Sequence, residues 1–130
     1  MAVVNPFQYA ILRAVPRVDR GEFINIGVVL HCQAEDYLGA ALAIDERRLL
    51  ALDPHIDLTV LHAAADAVVR ACAAPVGTAR ENSGLAIRFG MLTAPRSALI
   101  QPSPVHAGMT NDAAATLAHL ITSYVEPPSR

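Results

Sequence analysis

All ten basic residues of this chain are arginines, and Arg17, Asp19, Arg20 and Glu22 crowd one short segment between two apolar runs. Arg20 has the chemistry to clamp a phosphate or carboxylate with its planar fork, Glu22 to act as a base or to orient that fork, and Asn25 to add a hydrogen bond. The segment also has a purely structural use. A loop joining two buried strands must be polar, and an exposed Arg–Glu pair contributes at most about 1 kcal/mol. A second polar group, Arg96, Ser97, Ser103 and His106, lies late in the chain. Ser103 and His106 have the types of a nucleophile and a base, but no third acidic group is identifiable that would orient the histidine. Recognition is the better use for them: if the first and fourth strands are neighbours, Arg96 approaches Arg20 and the two arginines form an anion site with His106 at its edge. In the competing use, the proline-locked stretch from Pro102 to Gly108 is a stiff connector and Arg96 caps a helix end. The candidate ligand-binding set is therefore Arg20, Glu22, Asn25, Arg96, Ser97 and His106, with no catalytic residue assigned.

Other chemistries lack their signatures. His31, His55, His62, His106 and His119 are scattered, without the i, i+4 pair or the Cys/His spacing of a zinc site. Cys32 and Cys72 match no metal or redox spacing and read as buried, reduced thiols. The interval from Gly21 to Gly27 falls inside a hairpin, the wrong context for a dinucleotide-binding turn. Neither a metal nor a cofactor is expected.

A chain of 130 residues has the length of one domain, here 1–130, and buries roughly two-thirds of its unfolded surface without staples. Its net charge of −2 provides no global basic field for a phosphate backbone, which argues against a dedicated nucleic-acid binder. Hydrophobic residues make up 53% and charged residues only 17%, so the surface is short of polar cover and a partner or a homodimer is expected. Met1 to Pro6 lacks the basic start and apolar middle of a signal peptide, and no run approaches the roughly 20 apolar residues that cross a bilayer. The expected location is cytoplasmic.

Several elements position these side chains. Phe7 to Val15 reads as a strand apolar on both faces, and Ile24, Ile26, Val28 and Leu30 fill one face of a second strand at period two, opposite Asn25 and Gly27. Pro16 to Glu22 is the hairpin loop, with Gly21 available for positive φ. Tyr37 to Ile44 reads as a third strand. Asp45 and Asp57 are N-caps, each with a hydrophobic staple, Ile44 with Leu49 and Ile56 with Leu61. The second cap opens a helix to about Ala74, with Leu61, Ala64, Ala65, Val68 and Cys72 inward. Pro75 to Ser83 reads as a loop. Leu85 to Leu92 fits both periods, with a short helix favoured. Arg96 to Gln101 reads as a fourth strand, and a last helix starts near Asn111 with Ala113, Leu117, Leu120, Ile121 and Tyr124 inward. The expected fold is α+β, a two-layer sandwich: an antiparallel four-stranded sheet, ordered β-β-β-α-α-β-α along the chain, with helices on one face.

The runs Tyr9 to Arg13, Arg20 to Leu30, Arg88 to Ser97 and Gln101 to Gly108 together resemble DUF3037, an uncharacterised bacterial family. The resemblance spans nearly the whole chain, and departs from the family where Gly90 or Met91 stands in place of a large aromatic. It implies a protein partner, a HipA-like serine/threonine kinase encoded beside family members, and no activity. The leading expectation is a non-enzymatic binding or accessory module that docks a protein through its sheet or hairpin face. The alternative is a small enzyme or sensor for a phosphorylated or nucleotide-like ligand at the arginine-rich site.

Overall fold

The first two strands, β1 (Asn5–Ala14) and β2 (Ile24–Cys32), form the antiparallel hairpin on which everything else is laid. In this computed structural model, which describes residues 3–75 and 82–128, β3 (Tyr37–Leu42) pairs the far side of β2. Three helices follow, α1 (Glu46–Leu52), α2 (Leu58–Ala73) and α3 (Asn82–Leu92). The chain then returns to the free edge of β1 as two short strands, β4 (Ile100–Pro102) and β5 (His106–Thr110), and ends in α4 (Ala113–Tyr124). The sheet order is β3-β2-β1-β4, with β5 also on β1.

The antiparallel sheet and the α+β class agree with the sequence reading, but the layering does not. The helices cover both faces, so the fold has three layers instead of two. On one side Ala10, Leu12, Ala14, Ile26 and Val29 pack against Leu49, Leu61, Ala65, Cys72 and Phe89 of α1, α2 and α3. On the other, Phe7, Ile11, Val28, Leu30 and Cys32 pack against Ala113, Leu117, Leu120 and Ile121 of α4. Each of those buried leucines and isoleucines is worth roughly 1.5–3 kcal/mol, enough to fix a twelve-residue helix that would be marginal alone.

The cause is a bulge. Leu12 pairs Gly27 but Arg13 pairs Asn25, so Ile26 is an extra residue in β2. One inserted residue inverts the alternation of side chains along a strand. Ile24 and Ile26 therefore face α1–α3 while Val28, Leu30 and Cys32 face α4, where uninterrupted period two had put Ile24, Ile26, Val28 and Leu30 on one face. Gly27 is required beside the bulge, since a Cβ there would sit 2.7 Å from the Ala41 carbonyl and 2.8 Å from Leu42 Cδ2.

Two further differences concern the late strands. The expected fourth strand at Arg96–Gln101 begins only at Ile100, because the Arg96 guanidinium turns back to donate to the carbonyls of Met91 (2.5 Å) and Ala94 (3.3 Å) at the end of α3. The stretch expected as a proline-locked connector, Pro102 to Gly108, runs into β5, the fifth strand, at His106. Prolines are tolerated on a sheet edge, and Gly108 lies under the Phe7 ring, where a Cβ would meet Phe7 Cζ at 2.7 Å. Ser103 closes the gap between β4 and β5. Its N–H donates to the Ile11 carbonyl (2.7 Å), while its hydroxyl accepts from the Ile11 N–H (2.8 Å) and donates to the Pro104 carbonyl (2.9 Å).

The helix starts agree closely with the sequence. Asp45, Asp57 and Asp112 each accept from a backbone N–H three residues on, and α3 takes the ambiguous segment. Gly90 faces open space on α3, so the departure from the family pattern there leaves the core untouched. The expected loop from Pro75 to Ser83 falls largely outside the described residues, and Asn82 and Ser83 belong to α3.

Because the Ser103 hydroxyl accepts from the buried Ile11 N–H and its loss would leave that donor without this partner, Ser103→Ala is expected to cost about 1–3 kcal/mol. Urea denaturation followed by circular dichroism measures it; an unchanged midpoint would remove the stitch from this account.

Candidate functional site

The six residues singled out in the sequence divide among three places. Arg20 and Glu22 form an ion pair on the hairpin loop, both side chains about half exposed. That contact raises the Arg20 guanidinium above its ordinary value and holds the Glu22 carboxyl below the usual carboxylate range. With Pro16 and Arg17 they line one wall of a cleft of about 460 Å³, whose other wall includes Asp53 and His55 after α1. Gly21, at φ 69°, makes the turn that brings the two side chains round.

Arg96 lines a different cleft, of about 250 Å³, with Leu12, Leu92, Leu99 and Ile100. The two clefts share no lining residue, and Arg96 is committed to the end of α3 as a C-terminal cap. Ser97 lies exposed on the link between α3 and β4. The structure thus joins Arg20 with Glu22 and leaves Arg96 and Ser97 apart from them. Ser103 is buried, with its hydroxyl occupied at both ends by backbone, and is no nucleophile.

Asn25 and His106 lie elsewhere, both on the α4 side of the sheet, Asn25 opposite Arg13 and His106 opposite Tyr9. The bulge at Ile26 turns Asn25 onto this face, where its amide donates to the Tyr124 carbonyl at the end of α4 (3.0 Å). Its cross-strand neighbour is Arg13, whose guanidinium stacks 4.2 Å from the centre of the Phe23 ring. Further along β1, Tyr9 faces His106 on β5 (5.4 Å between rings) and Tyr124 on α4 (6.4 Å, nearly parallel). Burial pushes the Tyr9 phenol up, and the neighbouring Tyr124 phenol adds to the shift, so Tyr9 stays neutral. α4 packs chiefly on β2 and β3. It leaves this row of aromatic and polar side chains as the uncovered half of the face, with Phe23 45% and Tyr124 52% exposed. Tyr124 had been expected inward.

Two buried polar atoms in this row lack a partner, Nε of Arg13 and Oδ1 of Asn25. Sequence reasoning found Asn25 and His106 but missed Arg13, Tyr9, Phe23 and Tyr124. The available signal was a charged residue at the end of an otherwise apolar strand, with aromatics at the same parity.

A family model described as protein of unknown function (DUF3037) matches residues 9–125. The chain belongs to this family. No curated protein and no solved structure matches it. The DUF3037 match begins at Tyr9 and ends at Val125, so both ends of the aromatic row lie within it.

Cys72 and His31 of this DUF3037 chain belong to the core. Burial pushes the Cys72 thiol up to about 11, which suppresses the thiolate that nucleophilic or metal chemistry would need. Among the described residues no three His, Cys, Asp or Glu side chains gather as a metal site. His62 pairs with Glu46 at 2.9 Å in the open. His31 is 6% exposed and stacks on Phe89 (5.7 Å) with no partner at Nε2. Burial lowers its pKa, against a weaker opposing pull from Asp36.

The His31 shift fixes a pH dependence. With the folded pKa below the ordinary 6.5, the unfolded chain takes up the proton first as pH falls. Stability is full above about 6.5 and declines from there toward the depressed value. His31→Phe, which keeps the stack on Phe89, is expected to flatten that decline in urea titrations between pH of about 7.5 and 5; an unaltered slope would assign the decline to other groups.

Proposed function

We propose that this DUF3037 chain is a non-enzymatic binding module that docks a protein partner over the uncovered half of its α4 face, along β1 and β5. The observation that carries this reading is the row Phe23–Arg13–Tyr9–His106 running beside α4 and met by Tyr124 at the helix end, with Phe23 and Tyr124 exposed. Aromatic residues dominate interface hot spots because they supply large contact area at small cost in rotamer freedom, and arginine because its planar fork stacks and hydrogen-bonds at once. The row lies along a sheet face, whereas small-molecule sites are concave. A HipA-like serine/threonine kinase is the partner the family resemblance points to.

The test is co-expression with a HipA-like kinase from the same genome, followed by calorimetric titration of the purified proteins. Phe23→Ser and Tyr124→Ser, both at exposed positions, are expected to weaken the complex about tenfold or more each, ~1.4 kcal/mol or above, without lowering the melting temperature. Wild-type affinity in both variants would refute docking at this face.

One observation favours a second reading, a phosphorylated or nucleotide-like ligand in the cleft beside the hairpin: Arg17, Arg20 and His55 converge on its roughly 460 Å³. The carboxylates of Glu22 and Asp53 line the same cleft and weigh against an anion. On this reading inorganic phosphate or a nucleoside monophosphate raises the melting temperature by several degrees and Arg20→Ala abolishes the rise; no shift in the wild-type protein rules it out.

A further inference from the structure

We propose that the docked partner presents an acidic segment, with an Asp or Glu carboxylate seated on the guanidinium of Arg13; this inference rests on the docking reading above. Arg13 carries a permanent charge and five N–H donors. Among the described residues none of those donors makes a hydrogen bond, and the ion pairs are Arg17–Asp19, Arg20–Glu22 and His62–Glu46, with Arg13 in none of them. Its contact within the protein is the Phe23 ring. Its Nε is buried without a partner, and its two terminal nitrogens are not among the buried unpartnered atoms. A planar cation stacked on an aromatic and held at a strand end is oriented in advance for a planar anion, which meets the fork bidentately.

The surroundings set the sign and the shape of the occupant. Along the row the other ionisable side chains are Tyr9, Tyr124 and His106, of which only the histidine can carry charge near neutral pH, and that charge is positive. Glu22, adjacent to Phe23, is already held by Arg20. On the other side Arg13 pairs Gln101 across the sheet, whose amide nitrogen is turned to the Ala98 carbonyl. The face thus offers positive charge with aromatic walls and no unpaired carboxylate in the row. A single guanidinium among aromatic rings suits one carboxylate, whereas a phosphate dianion calls for several cations. Arg13 pairs Gln101 of β4 and Tyr9 pairs His106 of β5, so an extended segment crossing this face beside α4 passes the aromatic rings and brings its acid over Arg13.

Amide correlation spectra of the full chain, titrated with a short acetylated penta-glutamate peptide, its penta-glutamine counterpart and inorganic phosphate, test the inference. The glutamate peptide is expected to shift Arg13, Phe23, Asn25 and His106, with an affinity that falls as salt is raised and drops at least tenfold in Arg13→Gln. Arg13→Lys, which keeps charge but not the fork, should recover only part of it, and serves where Arg13→Gln is poorly folded. Equal binding of the glutamine peptide, shifts confined to the hairpin around Arg17 and Arg20, or tighter binding of phosphate at the same residues would each overturn the proposal. With the kinase as partner the two claims separate: loss of binding in Phe23→Ser and Tyr124→Ser but not in Arg13→Gln removes the acidic contact and leaves docking intact.

Discussion

The single extra residue at Ile26 governs this structure. A strand alternates its side chains strictly, so without the insertion Asn25 would share a face with Gly27 and Val29 against α1–α3, and Ile24 would turn to α4. With it, β2 delivers isoleucines to one layer and Val28, Leu30 and Cys32 to the other, and both faces become greasy enough to hold helices. The same inversion turns Asn25 and Phe23 toward Arg13. Core layering and candidate binding surface thus share one cause, local to a two-residue stretch of the hairpin.

The incomplete cover on the α4 side follows from geometry. One helix of twelve residues is about 18 Å long and 10 Å wide, and strands are spaced near 4.8 Å, so it covers about two strands of a five-stranded sheet. Sitting on β2 and β3, it also buries Phe7 and Ile11 of β1 but leaves the rest of β1 and the two short edge strands beside it. Next to those two buried side chains the strip is polar and aromatic. Arginine, asparagine, histidine and aromatics tolerate water while offering stacking and directed hydrogen bonds. The ion pairs on the hairpin loop, by contrast, are exposed and satisfied among themselves, and such pairs contribute little.

Local rules were readable in the sequence; parity and sidedness were not. The caps at Asp45 and Asp57 and the inward stripe of α2 depend on neighbours within a turn or two, and they stand as read, with Leu61, Ala65 and Cys72 buried. The bulge leaves no local mark except Gly27, because period two looks uninterrupted through Ile24, Ile26, Val28 and Leu30. The two-layer expectation came from counting helices enough for one side only, whereas α4 alone covers part of the second. β5 escaped notice because Pro102 and Pro104 are breakers in a central strand yet permissible on an edge, and edge status is a tertiary property. Arg20 and Arg96 were brought together in expectation by a correct pairing of β1 with β4. Strand adjacency does not fix side-chain direction, however, and Arg96 folds back on α3 instead. Asn25 and His106 were singled out as polar groups, and their neighbours on the α4 face emerge only once the strand parity is known.

Methyl-selective labelling of isoleucine, leucine and valine, with nuclear Overhauser contacts traced from β2, addresses the inversion most directly. The account requires Ile26 methyls to contact the leucines of α1 and α2, Leu49 and Leu61, while Val28 and Leu30 methyls contact Leu117 and Leu120 of α4. Contacts from Ile26, Val28 and Leu30 to one and the same set of helices would contradict it, and would turn Asn25 away from Arg13.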